Sequence, residues 1–186
     1  MNNSSSTFIF GTITGQFVCL INVHFLCLLK VCTKCLSRRS QKVSRAGTPG
    51  FRPPEVLLKS AHQTTAVDLW AVGVIFISAM TRTYPFFRAP DDVTNLAEML
   101  AIFGTKALTE AASQYGKRLV TSAHVEPWNL ELMCACLAGR GRDKDYSVAT
   151  ALVTKESVDL LKNLFALNAA ARITAEDALK HPFFKD

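Results

Sequence analysis

Two apolar runs dominate the pattern of hydrophobic and polar positions along the chain. The first, residues 8–29, contains no Lys, Arg, Asp or Glu, and the second, residues 66–80, contains one charge, Asp68. A helix that is apolar on every side is usually buried in a protein core, so the second run predicts a buried central helix. Thr65 and Asp68 form the S/T-x-x-D pattern of a capping box at its start. Before it, residues 45–55 contain two glycines and three prolines, which predicts a loop.

The first apolar run has three interpretations. As a helix, its 22 residues would rise about 33 Å, enough to cross a hydrocarbon core of about 30 Å, and Lys30 on its flank would then stay cytoplasmic. A signal peptide fits poorly because no positive residue precedes the run. Gln16, Asn22 and His24 weaken the span, and the many Phe, Ile, Val and Thr residues suit a buried core segment as well. The third interpretation is an artefactual or alternative start.

The charge is distributed unevenly. The chain carries 21 Lys and Arg and 15 Asp and Glu, a formal net charge of +6 over 186 residues, which is typical of proteins that bind nucleic acid or a membrane surface. Residues 1–54 hold seven of the basic residues and no acidic ones, whereas residues 55–186 hold 14 basic and 15 acidic residues. The body of the protein is therefore nearly neutral, and we expect no direct binding of nucleic acid.

The six cysteines do not form the pattern of a secreted disulfide framework, so we expect reduced thiols. Cys32 and Cys35 form a CxxC pair, whose two thiolates can occupy two corners of a tetrahedral zinc site. His24 and Cys27 could supply the other two corners. A redox-active CxxC and inert thiols are the alternatives to a zinc site.

Four motifs occur in order between residues 47 and 184. They are GTPGFRPPE at 47–55, DLWAVG at 68–73, YPFF at 84–87 and LNAAARITAEDALKHPFF at 167–184. Together they resemble the end of the activation segment, the large central helix with the segment after it, and the closing motif of a serine/threonine protein kinase. The resemblance narrows to the replication-initiating cell-division-cycle kinases, whose activity depends on a separate regulatory subunit.

This resemblance implies a mainly α fold, the C-terminal lobe of a kinase domain and thus part of a larger domain. It divides the chain into an irregular apolar segment of unclear origin at residues 1–30, a cysteine-bearing and basic insert-like segment at 31–44, and the lobe at 45–186. Cys32 and Cys35 lie where the family carries a cysteine-bearing insert.

The resemblance assigns structural roles to five residues. In kinases the glutamate at the position of Glu55 pairs with the arginine at the position of Arg172, which ties the activation segment to the lobe. The aspartate at the position of Asp68 accepts backbone N–H groups of the catalytic loop, and burial would otherwise force this lone charge neutral. Trp70 and Gly73 are expected to serve packing rather than chemistry.

Four further residues belong to the part of the family's fold that receives the substrate. Thr48 and Gly50 lie in the loop that holds the peptide just after the phosphorylated residue. Arg45 and Arg52 flank this loop, and two guanidinium groups there suit an acidic or phosphorylated side chain. Simple anchoring of the activation segment is the alternative role for these arginines.

The groups that carry out phosphoryl transfer are missing from the sequence. It contains no glycine-rich phosphate loop, no ATP-anchoring lysine motif, and no HRD or DFG motif. ATP and Mg²⁺ are therefore expected of the family, without matching sites in this chain.

The sequence thus predicts a fragment of a serine/threonine kinase that phosphorylates replication proteins in the nucleus and is inactive as this chain alone. Its expected partners are protein substrates and a regulatory activator subunit. The alternative is a catalytically dead, kinase-like binding module, which would be anchored in a membrane if residues 8–29 span the bilayer.

Overall fold

The computed structural model describes residues 46–122, 124–139 and 152–185, and the backbone of residues 7–10. This part of the chain is mainly helical. The helices are α1 (Pro54–Leu57), α2 (Ala66–Thr81), α3 (Asp92–Phe103), α4 (Thr105–Gln114), α5 (Leu130–Ala138), α6 (Lys155–Leu164) and α7 (Ala175–Leu179), followed by a 3₁₀ turn at Pro182–Phe184. Two short strands are β1 (Thr7–Phe10) and β2 (Arg118–Thr121).

The core is built around one face of α2. Trp70 is fully buried, and its ring lies 6.5 Å from that of Phe87, 5.9 Å from that of Phe103 and 4.8 Å from that of Phe165. Gly73 lets α2 approach α6 closely, because a Cβ atom at this position would lie 2.9 Å from the Phe165 ring. The packing roles expected of Trp70 and Gly73 therefore agree with their surroundings.

The prediction that α2 is buried on every side is wrong. Val72 and Ile75 are 48% and 60% exposed, and Asp68 is exposed as well. The helix contributes one face to the core, and its opposite face is equally apolar but lies at the surface of the described part of the chain. An apolar sequence alone cannot distinguish a helix covered on two sides from a helix covered on one.

The capping box predicted at the start of α2 is also wrong. Thr65 has helical backbone angles, φ −59° and ψ −13°, and its side chain makes no capping hydrogen bond. An N-cap side chain reaches the N–H groups of the first turn from an extended backbone, typically in the β region. Thr64 instead accepts a hydrogen bond from the Ala66 N–H through its hydroxyl oxygen at 3.3 Å.

Four other helices begin at capped residues, among them α5, where the Asn129 side chain accepts from the Leu132 N–H. The Asp91 carboxylate accepts from the N–H groups of Val93 and Thr94 at the start of α3. Thr154 forms a reciprocal capping box with Ser157 at α6, and Thr174 caps α7. These caps satisfy N–H groups that have no partner within their own helix.

The amino-terminal region is described only at residues 7–10, which form β1 and pair in parallel with β2, with Thr7 opposite Arg118 and Phe10 opposite Thr121. The start of the apolar run is thus strand rather than helix, in keeping with its Phe, Ile and Thr content. The rest of residues 1–30 and the segment 31–44 lie outside the described residues. Among the residues that the structure describes, no helix is long and apolar enough to cross a membrane.

Candidate functional site

The candidate site is organised by an ion pair between Glu55 and Arg172, which are 117 positions apart. One guanidinium nitrogen of Arg172 donates to Glu55 Oε1 at 2.7 Å, and the other donates to Glu55 Oε2 at 2.9 Å. Both side chains are fully buried. The structure therefore forms the pair that the motifs predicted, in a two-pronged geometry that gives strong, charge-assisted hydrogen bonds.

Arg172 is bound on its other sides as well. Its Nε–H donates to the Ala166 carbonyl at 3.1 Å, and a terminal N–H donates to the Ala66 carbonyl at 2.6 Å. The guanidinium carbon lies 5.3 Å from the centre of the Trp70 ring, within the range of a cation–π interaction. Arg172 thus joins α1, the first turn of α2 and the segment before α7.

Tyr115 supports the segment that carries Arg172. Its hydroxyl donates to the Leu167 carbonyl at 2.9 Å and accepts from the Ala169 N–H at 2.7 Å. Burial is the main cause that raises the pKa of this hydroxyl above its usual value. Sequence reasoning found no function for Tyr115, because no motif links it to Leu167 and Ala169, more than 50 positions later.

Residues 46–53, which we call the substrate loop after the role that the family resemblance predicts for them, precede α1 and contain Thr48 and Gly50. Gly47 and Gly50 have φ angles of +81° and +82°, a region that glycine adopts without steric cost. The Phe51 N–H donates to the Thr48 carbonyl at 3.0 Å, which closes a tight turn. Thr48 is the first residue of this turn and is exposed, so it is accessible to a bound molecule.

Arg52 holds the substrate loop to α3. Its Nε–H donates to the Gly47 carbonyl at 3.0 Å, and a terminal N–H donates to the Asp92 carboxylate at 3.0 Å. Only 15% of the Arg52 side chain is exposed. This geometry favours anchoring of the loop over recognition of an acidic substrate, while Arg45 lies outside the described residues. Asp92 was missed by sequence reasoning, since nothing in its local pattern connects it to a residue 40 positions earlier.

Glu98 of α3 holds the segment around Phe87 and Arg88, which packs against the substrate loop. A Cβ atom at Gly50 would lie 3.1 Å from the Phe87 carbonyl oxygen, so the loop and the segment around Phe87 are in close contact. The Arg88 N–H donates to both oxygens of the Glu98 carboxylate, at 3.0 and 3.3 Å. Burial raises the pKa of Glu98 to about 7, and these backbone hydrogen bonds oppose the shift.

Asp68 does not occupy the environment that the sequence predicted. Asp68 is exposed on the outer face of α2 rather than buried. Among the described residues, none donates a hydrogen bond to its carboxylate. A role in accepting N–H groups from a catalytic loop therefore stays a prediction.

A metal site is likewise untested. Cys32 and Cys35 lie outside the described residues, and within the described part of the chain no group of three His, Cys, Asp or Glu side chains could hold a metal ion. Cys134 and Cys136 are free thiols, and burial raises the pKa of Cys134 to about 12, which leaves it protonated and unreactive near neutral pH.

Glu55→Gln should lower the free energy of unfolding by about 3–5 kcal/mol, because the Arg172 charge would remain buried without its partner. Arg172→Met should cost a similar amount. The double variant should lose less than the sum of the two single losses, since no unpaired charge remains. Urea unfolding followed by circular dichroism measures all three.

Glu176→Gln is the matched control, because Glu176 forms an ion pair with Lys180 at an exposed site. It should leave the unfolding free energy nearly unchanged. A loss for Glu55→Gln as small as that of the control would contradict the importance of the buried pair.

Glu98 should make the protein less stable as the pH rises. Its pKa is about 7 in the folded state against 4.5 for the ordinary carboxyl, so the folded state holds the extra proton between these values. The free energy of unfolding should therefore fall by about 3 kcal/mol as the pH rises through this window. Glu98→Gln should remove this dependence, and Glu110→Gln on the exposed face of α4 should not. Equal pH profiles for wild type and Glu98→Gln would disprove the assignment.

Comparison with known proteins identifies the family. Residues 31–184 match the protein kinase domain family. The chain is 37% identical over 214 residues to the human "Cell division cycle 7-related protein kinase", an alignment that covers 84% of this chain and 37% of the relative.

Two further relatives are also protein kinases. A Drosophila melanogaster "non-specific serine/threonine protein kinase Cdc7" is 40% identical over 191 residues, covering 83% of this chain and 27% of the relative. The "Cell cycle protein kinase spo4" of Schizosaccharomyces pombe is 35% identical over 159 residues, covering 79% of this chain and 35% of the relative. The chain thus spans about a third of the length of these relatives. With the motifs and the buried Glu55–Arg172 pair, this establishes that the chain belongs to the protein kinase family and is similar to its Cdc7-like serine/threonine kinases.

Proposed function

We propose that this chain forms the substrate-receiving part of a Cdc7-like serine/threonine kinase that phosphorylates replication proteins in the nucleus. The observation that carries the proposal is the substrate loop, which presents Thr48 at the surface and is fixed by two contacts at its carboxyl end. Arg52 binds it to Asp92 on one side, and Glu55 binds Arg172 on the other. A loop held in this way can receive an extended peptide without first having to become ordered.

In this proposal Thr48 and Gly50 contact the substrate directly, and Arg52 positions the loop. Thr48 offers a hydroxyl that can both donate and accept a hydrogen bond. Gly50 keeps the backbone close to the Phe87 segment, where a larger residue would not fit. Arg45, which directly precedes the loop in sequence, is proposed to bind an acidic or phosphorylated side chain, since Arg52 is already bound to Asp92 and Gly47.

The residues of this chain do not fit ATP and Mg²⁺, which the family uses. None of the sequence motifs that hold the nucleotide and the metal is present, and the described residues include no cluster that could bind a metal ion. We therefore propose that the chain alone does not transfer phosphate. A regulatory subunit as partner, and zinc at Cys32 and Cys35, rest on the family resemblance.

The second candidate function is a catalytically dead binding module that engages kinase substrates or the regulatory subunit. It is favoured by the substrate loop, which Arg52 and Glu55 anchor within this chain and which leaves Thr48 exposed to a bound protein. In this case the protein binds without transferring phosphate.

A phosphorylation assay on the purified 186-residue chain tests the proposal, with radiolabelled ATP and a replication protein as substrate. We expect no phosphate transfer above that of a heat-denatured control. Turnover abolished by an inhibitor of nucleotide binding would contradict the proposed inactivity. Co-purification of a substrate or regulatory subunit without phosphorylation would favour the binding module.

A further inference from the structure

Glu98 is a buried acid without a counter-charge. Among the described residues, Glu55 and Glu98 are the buried glutamates, at 0% and 3% exposure. Glu55 has the guanidinium of Arg172 as its partner, whereas the hydrogen bonds to the Glu98 carboxylate come from backbone N–H groups. A buried carboxylate that no cation balances costs free energy when it is ionised. Groups of this kind cluster at functional sites.

One peptide unit joins Glu98 to the substrate loop. The Arg88 N–H donates to the Glu98 carboxylate at 3.0 Å, and a Cβ atom at Gly50 would lie 3.1 Å from the Phe87 carbonyl oxygen. This N–H and this carbonyl belong to the same peptide bond, which is planar and rigid. A rotation of the unit away from Glu98 therefore also moves the oxygen that faces Gly50. We call it the Phe87–Arg88 peptide unit.

The charges around Glu98 leave its pKa high. Burial raises the pKa of Glu98 to about 7, while the N–H groups of Arg88 and Ala89 and the charge of Arg88 lower it. Arg88 is exposed, and its Nε–H donates to the Pro85 carbonyl at 3.2 Å, so water weakens the effect of its charge. The other charged residues of α3 and of the helices packed on it are engaged elsewhere or exposed: Asp91 caps α3, Asp92 pairs with Arg52, Glu55 of α1 pairs with Arg172, and Lys106 and Glu110 of α4 are exposed.

Ionisation of Glu98 favours opening of this contact. An opening that admits water to the carboxylate would give Glu98 back its ordinary pKa, which is 4.5. An acid whose pKa is higher in the closed form holds its proton more tightly there, so loss of the proton favours the open form. The closed form is thus stabilised at low pH, and this stabilisation is lost as the pH rises to about 7.

We propose that Glu98 is a positioning residue that makes the substrate loop respond to pH. With its proton bound, Glu98 keeps the Phe87–Arg88 peptide unit in place between α3 and Gly50. When the proton is lost, the peptide unit turns away from α3, water reaches the carboxylate, and the loop around Gly50 opens more often. This inference rests on the proposed function, because it concerns the regulation of the same loop that receives the substrate there.

Hydrogen exchange of the 186-residue chain, followed by NMR at pH 6 and pH 8, tests this proposal. Protection is the exchange rate of an unstructured peptide at the same pH divided by the observed rate. The Arg88 and Phe51 amides report on the two sides of the contact, and the amide of the buried Ile77 reports on global unfolding. Arg88 and Phe51 should be less protected than Ile77, and their protection should fall about tenfold between pH 6 and pH 8.

Variants assign the pH effect to Glu98. Glu98→Gln removes the titrating proton, so the protection of Phe51 should be equal at both pH values. Arg88→Gln keeps the backbone N–H but removes an exposed cation that favours the ionised acid, so the loss of protection should be larger than in the wild type. Glu110→Gln, on the exposed face of α4, is the matched control and should behave as the wild type. Circular dichroism verifies that each variant is folded.

Equal protection of Phe51 at both pH values in the wild type would overturn the proposal, as would a pH effect that persists in Glu98→Gln. Protection of Phe51 equal to that of Ile77 would also overturn it, because the loop would then open only when the whole chain unfolds. A peptide with acidic residues after its serine, added in a separate titration, tests the proposed function. Absence of binding at either pH would contradict that function, whereas exchange in the free chain decides the role of Glu98.

Discussion

The described structure depends on one buried ion pair. Glu55 and Arg172 are fully excluded from water, and neither charge would be tolerated there alone. Because Arg172 also donates to the Ala66 carbonyl and lies over the Trp70 ring, the pair fixes α1, α2 and the segment before α7 in one arrangement. The Trp70 ring in turn packs against Phe87, Phe103 and Phe165.

The position of the substrate loop follows from that arrangement. Glu55 fixes its carboxyl end, while α3 fixes its side through the Arg52–Asp92 pair and supports the Phe87 segment through Glu98. The loop is therefore held by residues far away in sequence, while Thr48 stays exposed. Exposed residues carried on a rigid frame are common in binding sites on loops.

The sequence predicted the features that depend on local or family patterns. The helical lobe, the Glu55–Arg172 pair and the packing roles of Trp70 and Gly73 could be predicted from the family motifs. It could not predict that Asp92 forms an ion pair with Arg52, or that the Tyr115 hydroxyl donates to the Leu167 carbonyl. Both contacts depend on how distant parts of the chain pack. The exposed face of α2 was missed for the same reason, since hydrophobicity does not say how many sides of a helix find a neighbour. The capping box predicted at Thr65 does not form, because the Thr65 backbone adopts a helical conformation.

Hydrogen exchange of the Phe51 amide, which donates within the substrate loop to the Thr48 carbonyl, tests the central claim most directly. It should be followed by NMR in the wild type and in Glu55→Gln under conditions where both are folded. If the buried pair holds the loop, the Phe51 amide should exchange faster in the variant, while the Leu132 amide at the start of α5 keeps its rate. Unchanged exchange at Phe51 in a folded variant would contradict the claim that the ion pair positions the loop.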